Sequence, residues 1–125
     1  MNDENRFQMF AEALIHNLAG LAKILGMLPI PIAISTDSGT DHMGQMLRVR
    51  KLVGDIPMNE VLTAAINTAI VDWMTGAILE SVRQDEAEGD EKDFLLTSAL
   101  LSMHRCNEAI QFALGILHGD IVIED

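Results

Sequence analysis

The chain has one cysteine, no tyrosine and a single tryptophan, and aromatic residues make up only 4 % of its 125 residues. The lone cysteine, Cys106, excludes an intramolecular disulfide framework. So few aromatic rings argue against a platform on which nucleic-acid bases stack. Basic residues are also scarce, since 8 Lys and Arg oppose 19 Asp and Glu, for a net charge of −11. Nonspecific DNA binding is therefore not expected, because neutralising phosphates requires a basic surface.

Apolar residues, in contrast, are plentiful: 49 % of the chain is hydrophobic and 22 % is charged, which is typical of a globular protein. Residues 1–125 are expected to form a single domain. The segment Met1–Arg6 is acidic and polar, unlike a secretory signal. The most apolar stretch, Val61–Leu79, contains Asn67 and Asp72 and has acidic flanks, which disfavours a membrane span. We expect a cytoplasmic protein with no membrane association.

Three stretches have helical periodicity, Arg6–Met27, Met58–Val82 and Glu91–Leu117. The first and third are amphipathic. Asp55 is the predicted N-cap of the second, with Pro57 in its first turn. This second helix is apolar on most sides and is therefore expected to lie at the centre of the bundle. A short chain supplies few neighbours for such a helix, so a second copy is expected to cover it in a homodimer.

The segment Pro29–Gly54 differs from the helices around it. Ile30–Ile34 is a short apolar run, and Gln45–Val53 alternates apolar and charged residues as a half-buried strand does. Ile121–Ile123 is a candidate third strand. The predicted fold is mainly α, with three long helices forming a small bundle and a short β-hairpin-like excursion between the first two. An all-α chain is the alternative.

Three of the eight basic residues, Arg48, Arg50 and Lys51, lie within four positions. On a strand, Arg48 and Arg50 would project from the same face, and guanidinium groups suit phosphates and carboxylates. Nearby hydroxyls would add donors around an anion such as a nucleotide: Thr36, Ser38 and Thr40. No glycine-rich phosphate motif accompanies them. The favoured alternative is that these cations pair with acidic helix surfaces, within a subunit or between subunits.

Two carboxylate–histidine pairs, Glu12 with His16 and His104 with Glu108, each have the four-residue spacing that places both side chains on one helix face. Facing helices that offer such groups can form a metal site in a bundle. The Glu-x-x-His spacing of di-iron bundles is absent, and both pairs lie on polar stripes. We therefore predict solvated side chains, no metal and no cofactor, and keep the metal site as an alternative.

No arrangement typical of a catalytic nucleophile is present, because Cys106 lies on a predicted buried stripe and no serine has a G-x-S-x-G context. The sequence favours a small acidic non-catalytic protein that binds another protein, of the regulator, inhibitor, immunity or phage and mobile-element accessory type. A binder of an anionic small molecule through Arg48, Arg50 and Lys51 is the second hypothesis. A metal-dependent hydrolase is the third.

Overall fold

A computed structural model describes residues 3–123, and over this range the chain forms four helices and no strand. The helices are α1 (Asp3–Gly26), α2 (His42–Asp55), α3 (Glu60–Asp85) and α4 (Asp90–Leu117). The predicted mainly α class and its three long helices are confirmed. The largest fully buried side chains come from all four helices: Leu21, Ile24, Leu25, Met46, Ile66, Ile70, Leu96, Met103 and Ile110.

The long helices form a bundle in which α4 lies antiparallel to α3 and parallel to α1. The contact between α3 and α4 is the most extensive. Helix α1 packs against both α3 and α4, and α2 packs against α3. Gly76 marks the closest approach, because a Cβ there would lie 2.5 Å from the Met103 methyl carbon and 3.3 Å from the Ala99 carbonyl oxygen. The Nε1 of Trp73 donates to the Leu14 carbonyl at 2.9 Å and thereby joins α3 to α1.

The predicted hairpin-like excursion is wrong, because Gln45–Val53 lies inside α2. The buried residues Met46, Val49 and Val53 recur every three to four positions, which is helical spacing. Asp41 begins the helix by accepting a hydrogen bond from the Gly44 amide at 3.0 Å. The alternation of charged and apolar residues around Val49 is compatible with the period of a strand and with that of a helix. Packing against α3 favours the helix. Ile121–Ile123 forms no strand either.

The helix ends also differ from expectation. Asp55 is the last residue of α2, so its predicted role as N-cap of the next helix is wrong. Asn59 caps α3 instead, and its Oδ1 accepts from the Val61 amide at 2.7 Å. Gly89, at a φ of 61°, precedes α4. Gly119, which follows α4, has the left-handed conformation that commonly ends a helix, with a φ of 82°.

Among the described helices, α3 alone is long and apolar enough to cross a membrane by length and composition. One side of it packs in the bundle, where Leu62, Ile66 and Ile70 are at most 5 % exposed. Near its C-terminal end it also buries the carboxylate of Glu80. Packing in the bundle accounts for the apolar residues on this side of α3.

The α3–α4 approach gives the first prediction. Replacing Gly76 with Leu forces a side chain into Met103 and the Ala99 carbonyl, and should destabilise the protein by about 1–3 kcal/mol. Gly54→Ala is the control: nothing lies within 4 Å of its Cβ, so it should stabilise α2 by roughly 0.5–1 kcal/mol. Urea unfolding followed by circular dichroism measures both. Equal stability of the two variants would contradict the close approach.

Candidate interaction surfaces

The basic residues of α2 are exposed, but as helical residues they do not share one face. Arg48 and Arg50 are separated by about 200° around the helix axis, whereas Arg48 and Lys51 lie on neighbouring positions of the outer side. None of the three pairs with an acidic residue among residues 3–123. The expected pairing within a subunit is therefore absent over that range, and these cations are available to another molecule.

The predicted hydroxyl donors lie in the loop before α2, where they do not converge with the basic residues. The Oγ atoms of Ser35 and Thr40 are 2.7 Å apart, and the Gln45 side chain forms two hydrogen bonds with the Ser35 backbone, of 2.8 and 3.0 Å. Thr36 and Ser38 are exposed. Gln45 lies three residues before Arg48, about 4.5 Å along the helix axis. Among residues 3–123 no hydrogen bond joins these hydroxyls to Arg48, Arg50 or Lys51.

An apolar groove borders the basic side of α2. Leu52 is 50 % exposed and Ile30, in the preceding loop, is 56 % exposed. Together with neighbouring residues they line a groove of about 440 Å³, which we call the α2 groove: Ile30, Pro31, Ile32, Ala33, Leu52, Asp55 and Ile56. Leu47, 51 % exposed, adds a further apolar side chain to the outer side of α2. This surface was not predicted, because a strand over Gln45–Val53 would place Leu47 and Leu52 on opposite faces.

The two candidate metal histidines line a common groove between α1 and α4, whose floor includes Met9, Asn17 and Leu100. Their carboxylates do not join them. Glu108 pairs with His104 on its own helix, at 2.8 Å, and lines a different groove. Glu12 accepts a hydrogen bond from Gln8 at 3.4 Å. No group of three or more potential metal ligands forms among residues 3–123.

Asn17 was not singled out from the sequence, yet it is only 1 % exposed at the base of this groove. Its Nδ2 donates to the Met103 carbonyl oxygen at 2.9 Å and lies 3.7 Å from the Met103 sulfur. A buried amide without a partner is costly, so this bond favours one register of α1 on α4. The role of Asn17 is to position the two helices.

A buried ion pair near the end of α3 was also missed. Arg83 donates to both Glu80 carboxylate oxygens, with its Nε at 2.8 and 3.0 Å, and Gln84 adds a third donor at 3.0 Å. These hydrogen bonds to Glu80 raise the pKa of the Arg83 guanidinium above its usual value. The guanidinium also stacks over the Phe7 ring at 5.7 Å. The network explains how Glu80 is buried beside the groove between α1 and α3.

The outward side of α3 carries apolar residues that no described element covers. Val71 is 41 % exposed and Ile78 is 51 % exposed, whereas Met74, between them in sequence, is half-buried and packs against the core. On α1, Ile15 is 70 % exposed and lines the groove beside α3. This α3 face, defined by Val71 and Ile78, agrees with the prediction that the second long helix is apolar on most sides.

A second exposed apolar side chain of note is Phe94, which is 69 % exposed in the first turns of α4. It follows an acidic stretch that spans the end of α3, residues 86–89 and the start of α4. Asp93 pairs with Arg6. Four other acids have no ion-pair partner among residues 3–123: Glu86, Glu88, Asp90 and Glu91.

Comparison with protein-family models, with curated proteins and with solved structures found no match to this chain. The arguments for its function therefore rest on its own residues.

The thiol of Cys106 is fully buried in α4. Burial, with a smaller contribution from the charge of Asp72, raises its pKa to about 12. The thiolate is the reactive form, and a raised pKa makes it scarce at neutral pH. Geometry and electrostatics together disfavour Cys106 as a nucleophile.

This burial yields a pH-dependent prediction. With a pKa of about 12, roughly one Cys106 thiol in ten thousand is ionised at pH 8. Iodoacetamide should therefore label the folded protein at least about a thousandfold more slowly than a free cysteine, and labelling should accelerate in denaturant. Mass spectrometry of timed samples measures the rate. Rapid labelling of the folded chain would contradict the burial.

Proposed function

We propose that this chain is a small acidic, non-catalytic regulatory protein of the cytoplasm that acts as a homodimer by binding another protein. The exposed α3 face carries the proposal. A helix that buries Leu62, Ile66 and Ile70 on one side and presents Val71 and Ile78 on the other has apolar surface for a second molecule. The second copy supplies that cover, because a self-complementary patch readily forms a two-fold interface.

The charge distribution indicates the chemistry of the further partner. Three of the arginines form ion pairs within the chain: Arg6 with Asp93, Arg83 with Glu80 and Arg105 with Asp72. Each pair also uses one acid, so the excess of 19 acids over 8 Lys and Arg remains and leaves many carboxylates facing solvent. Such a surface steers association with a basic protein and repels acidic ones. A basic protein is the proposed partner of the dimer.

Anion binding remains a second hypothesis because Arg48, Arg50 and Lys51 have no acidic partner among residues 3–123. It would require these cations to hold the ligand without a hydrogen bond to the loop hydroxyls that orients their side chains.

The dimer is tested at the α3 face. Val71→Glu with Ile78→Glu places two charges where apolar surface should be buried, so the dimer should weaken at least about a hundredfold while helicity is retained. Light scattering on a size-exclusion column measures the mass, which should fall from twice 13.7 kDa to 13.7 kDa. Leu101→Glu, at a position 53 % exposed on α4, is the control and should remain dimeric. A monomeric wild-type protein would overturn the proposal.

The regulatory role is tested by cross-linking a tagged chain in its source cells and identifying what it holds. We expect a basic protein at near-stoichiometric amounts, whose affinity falls as salt rises and whose addition raises Tm. Thermal-shift measurements with nucleotides and divalent metals should leave Tm unchanged. A rise in Tm with a nucleotide, lost in Arg48→Ala with Arg50→Ala, would favour the anion-binding hypothesis instead. A rise in Tm with zinc, lost in His16→Ala, would favour the metal-dependent one.

A further inference from the structure

We infer that the Phe94 segment of one copy, consisting of residues 86–94, docks into the α2 groove of a second copy, where Arg48 and Lys51 pair with its carboxylates. The inference rests on the proposed homodimer and names a second contact within it. Three observations support it. The α2 groove is apolar and has cations beside it, Phe94 is an exposed aromatic side chain with acidic residues beside it, and the two surfaces lie at opposite ends of the bundle.

The α2 groove and the cations beside it, Arg48 and Lys51, all belong to residues 30–56. The lining is apolar, formed by Ile30, Ile32 and Leu52 among others, except for the carboxylate of Asp55; the cations lie outside the lining, on the adjoining surface of α2. Arg48 lies one turn before Leu52 on α2, and Lys51 directly precedes Leu52 in the sequence. In a chain with 8 basic residues against 19 acidic ones, cations left without an acid among residues 3–123 are unexpected. Their position beside the groove suits an acidic segment with an apolar anchor.

The Phe94 segment has that composition. Phe94 is among the most exposed large apolar side chains in the described part of the protein, at 69 %. An exposed aromatic ring is an effective anchor because it buries a large apolar area with few torsions to restrict. Glu88 and Glu91 lie on either side of the turn that leads to it, without an ion pair among residues 3–123. The two surfaces therefore match in charge and in apolar character.

A single chain cannot bring these two surfaces together. The Phe94 segment lies at the end of the bundle where α1 begins, as the Arg6–Asp93 pair shows. The α2 groove lies at the other end, since Ile56 precedes the start of α3 by only four residues. The 26 residues of α3 separate the two ends by about 39 Å. The contact must be made between copies, and a two-fold axis would form it twice, once in each direction.

The test exchanges charges between the two surfaces. Arg48→Glu with Lys51→Glu makes the groove rim acidic, and Glu88→Lys with Glu91→Lys makes the Phe94 segment basic. Each double variant alone should dimerise at least about tenfold more weakly than wild type. An equimolar mixture should form the mixed dimer, because both of its contacts then join opposite charges. Native mass spectrometry distinguishes the three pairings by mass.

Matched controls separate this contact from a general effect of charge. Glu12→Lys with Asp120→Lys makes the same change in net charge as Glu88→Lys with Glu91→Lys, at exposed sites outside both surfaces, and should leave the dimer intact. Phe94→Ser should weaken the dimer, whereas Leu101→Ser on the same helix should not. Circular dichroism confirms that each variant remains folded.

The outcomes distinguish this contact from the dimer itself. Charge-reversed variants that dimerise like wild type overturn the docking inference and leave the homodimer standing. Failure of the mixture to form mixed dimers also overturns it, as does a wild-type protein that grows into open-ended oligomers. A wild-type protein that stays monomeric overturns both the inference and the proposed homodimer.

Discussion

The close contact of α3 with α4 at Gly76 is the constraint on which the other packing depends. A side chain at this position would meet Met103 and the Ala99 carbonyl, so glycine permits the two longest helices to approach. The approach places the Met103 carbonyl where Asn17 of α1 can donate to it. One glycine thus supports both the central helix pair and the position of the third long helix.

The same arrangement places chemically different surfaces at opposite ends of the bundle. A connection of only residues 86–89 turns α3 into the antiparallel α4, so the acidic residues on either side of it gather at one end. The loop between α1 and α2 and the C-terminal end of α2 lie at the other end, with an apolar groove and exposed cations. The exposed acids at the start of α4 and the exposed cations of α2 therefore lie far apart within one chain.

The buried polar groups show how an acidic chain with few cations keeps a well-packed interior. Glu80 is enclosed by Arg83 and Gln84, and Asn17 is satisfied by a backbone carbonyl. Breaking such pairs leaves a buried group without a partner and is strongly destabilising. Because Arg83 and Glu80 neutralise each other, the acidic exterior follows from the excess of 19 Asp and Glu over 8 Lys and Arg.

The amino-acid sequence by itself determined the three long helices, the apolar character of α3 and the buried stripe containing Cys106. Those features follow from periodicity and local composition, which act within one or two helical turns. Residues 45–53 were misassigned because their alternation satisfies both a strand and a helix, and only packing against α3 decides between them. The α2 groove, the Asn17 bond and the Glu80–Arg83 network could not be foreseen in the same way. The groove and the Asn17 bond join residues from different elements. Glu80 and Arg83 are only three residues apart on α3, but the packing of α1 against α3 decides that Glu80 is buried.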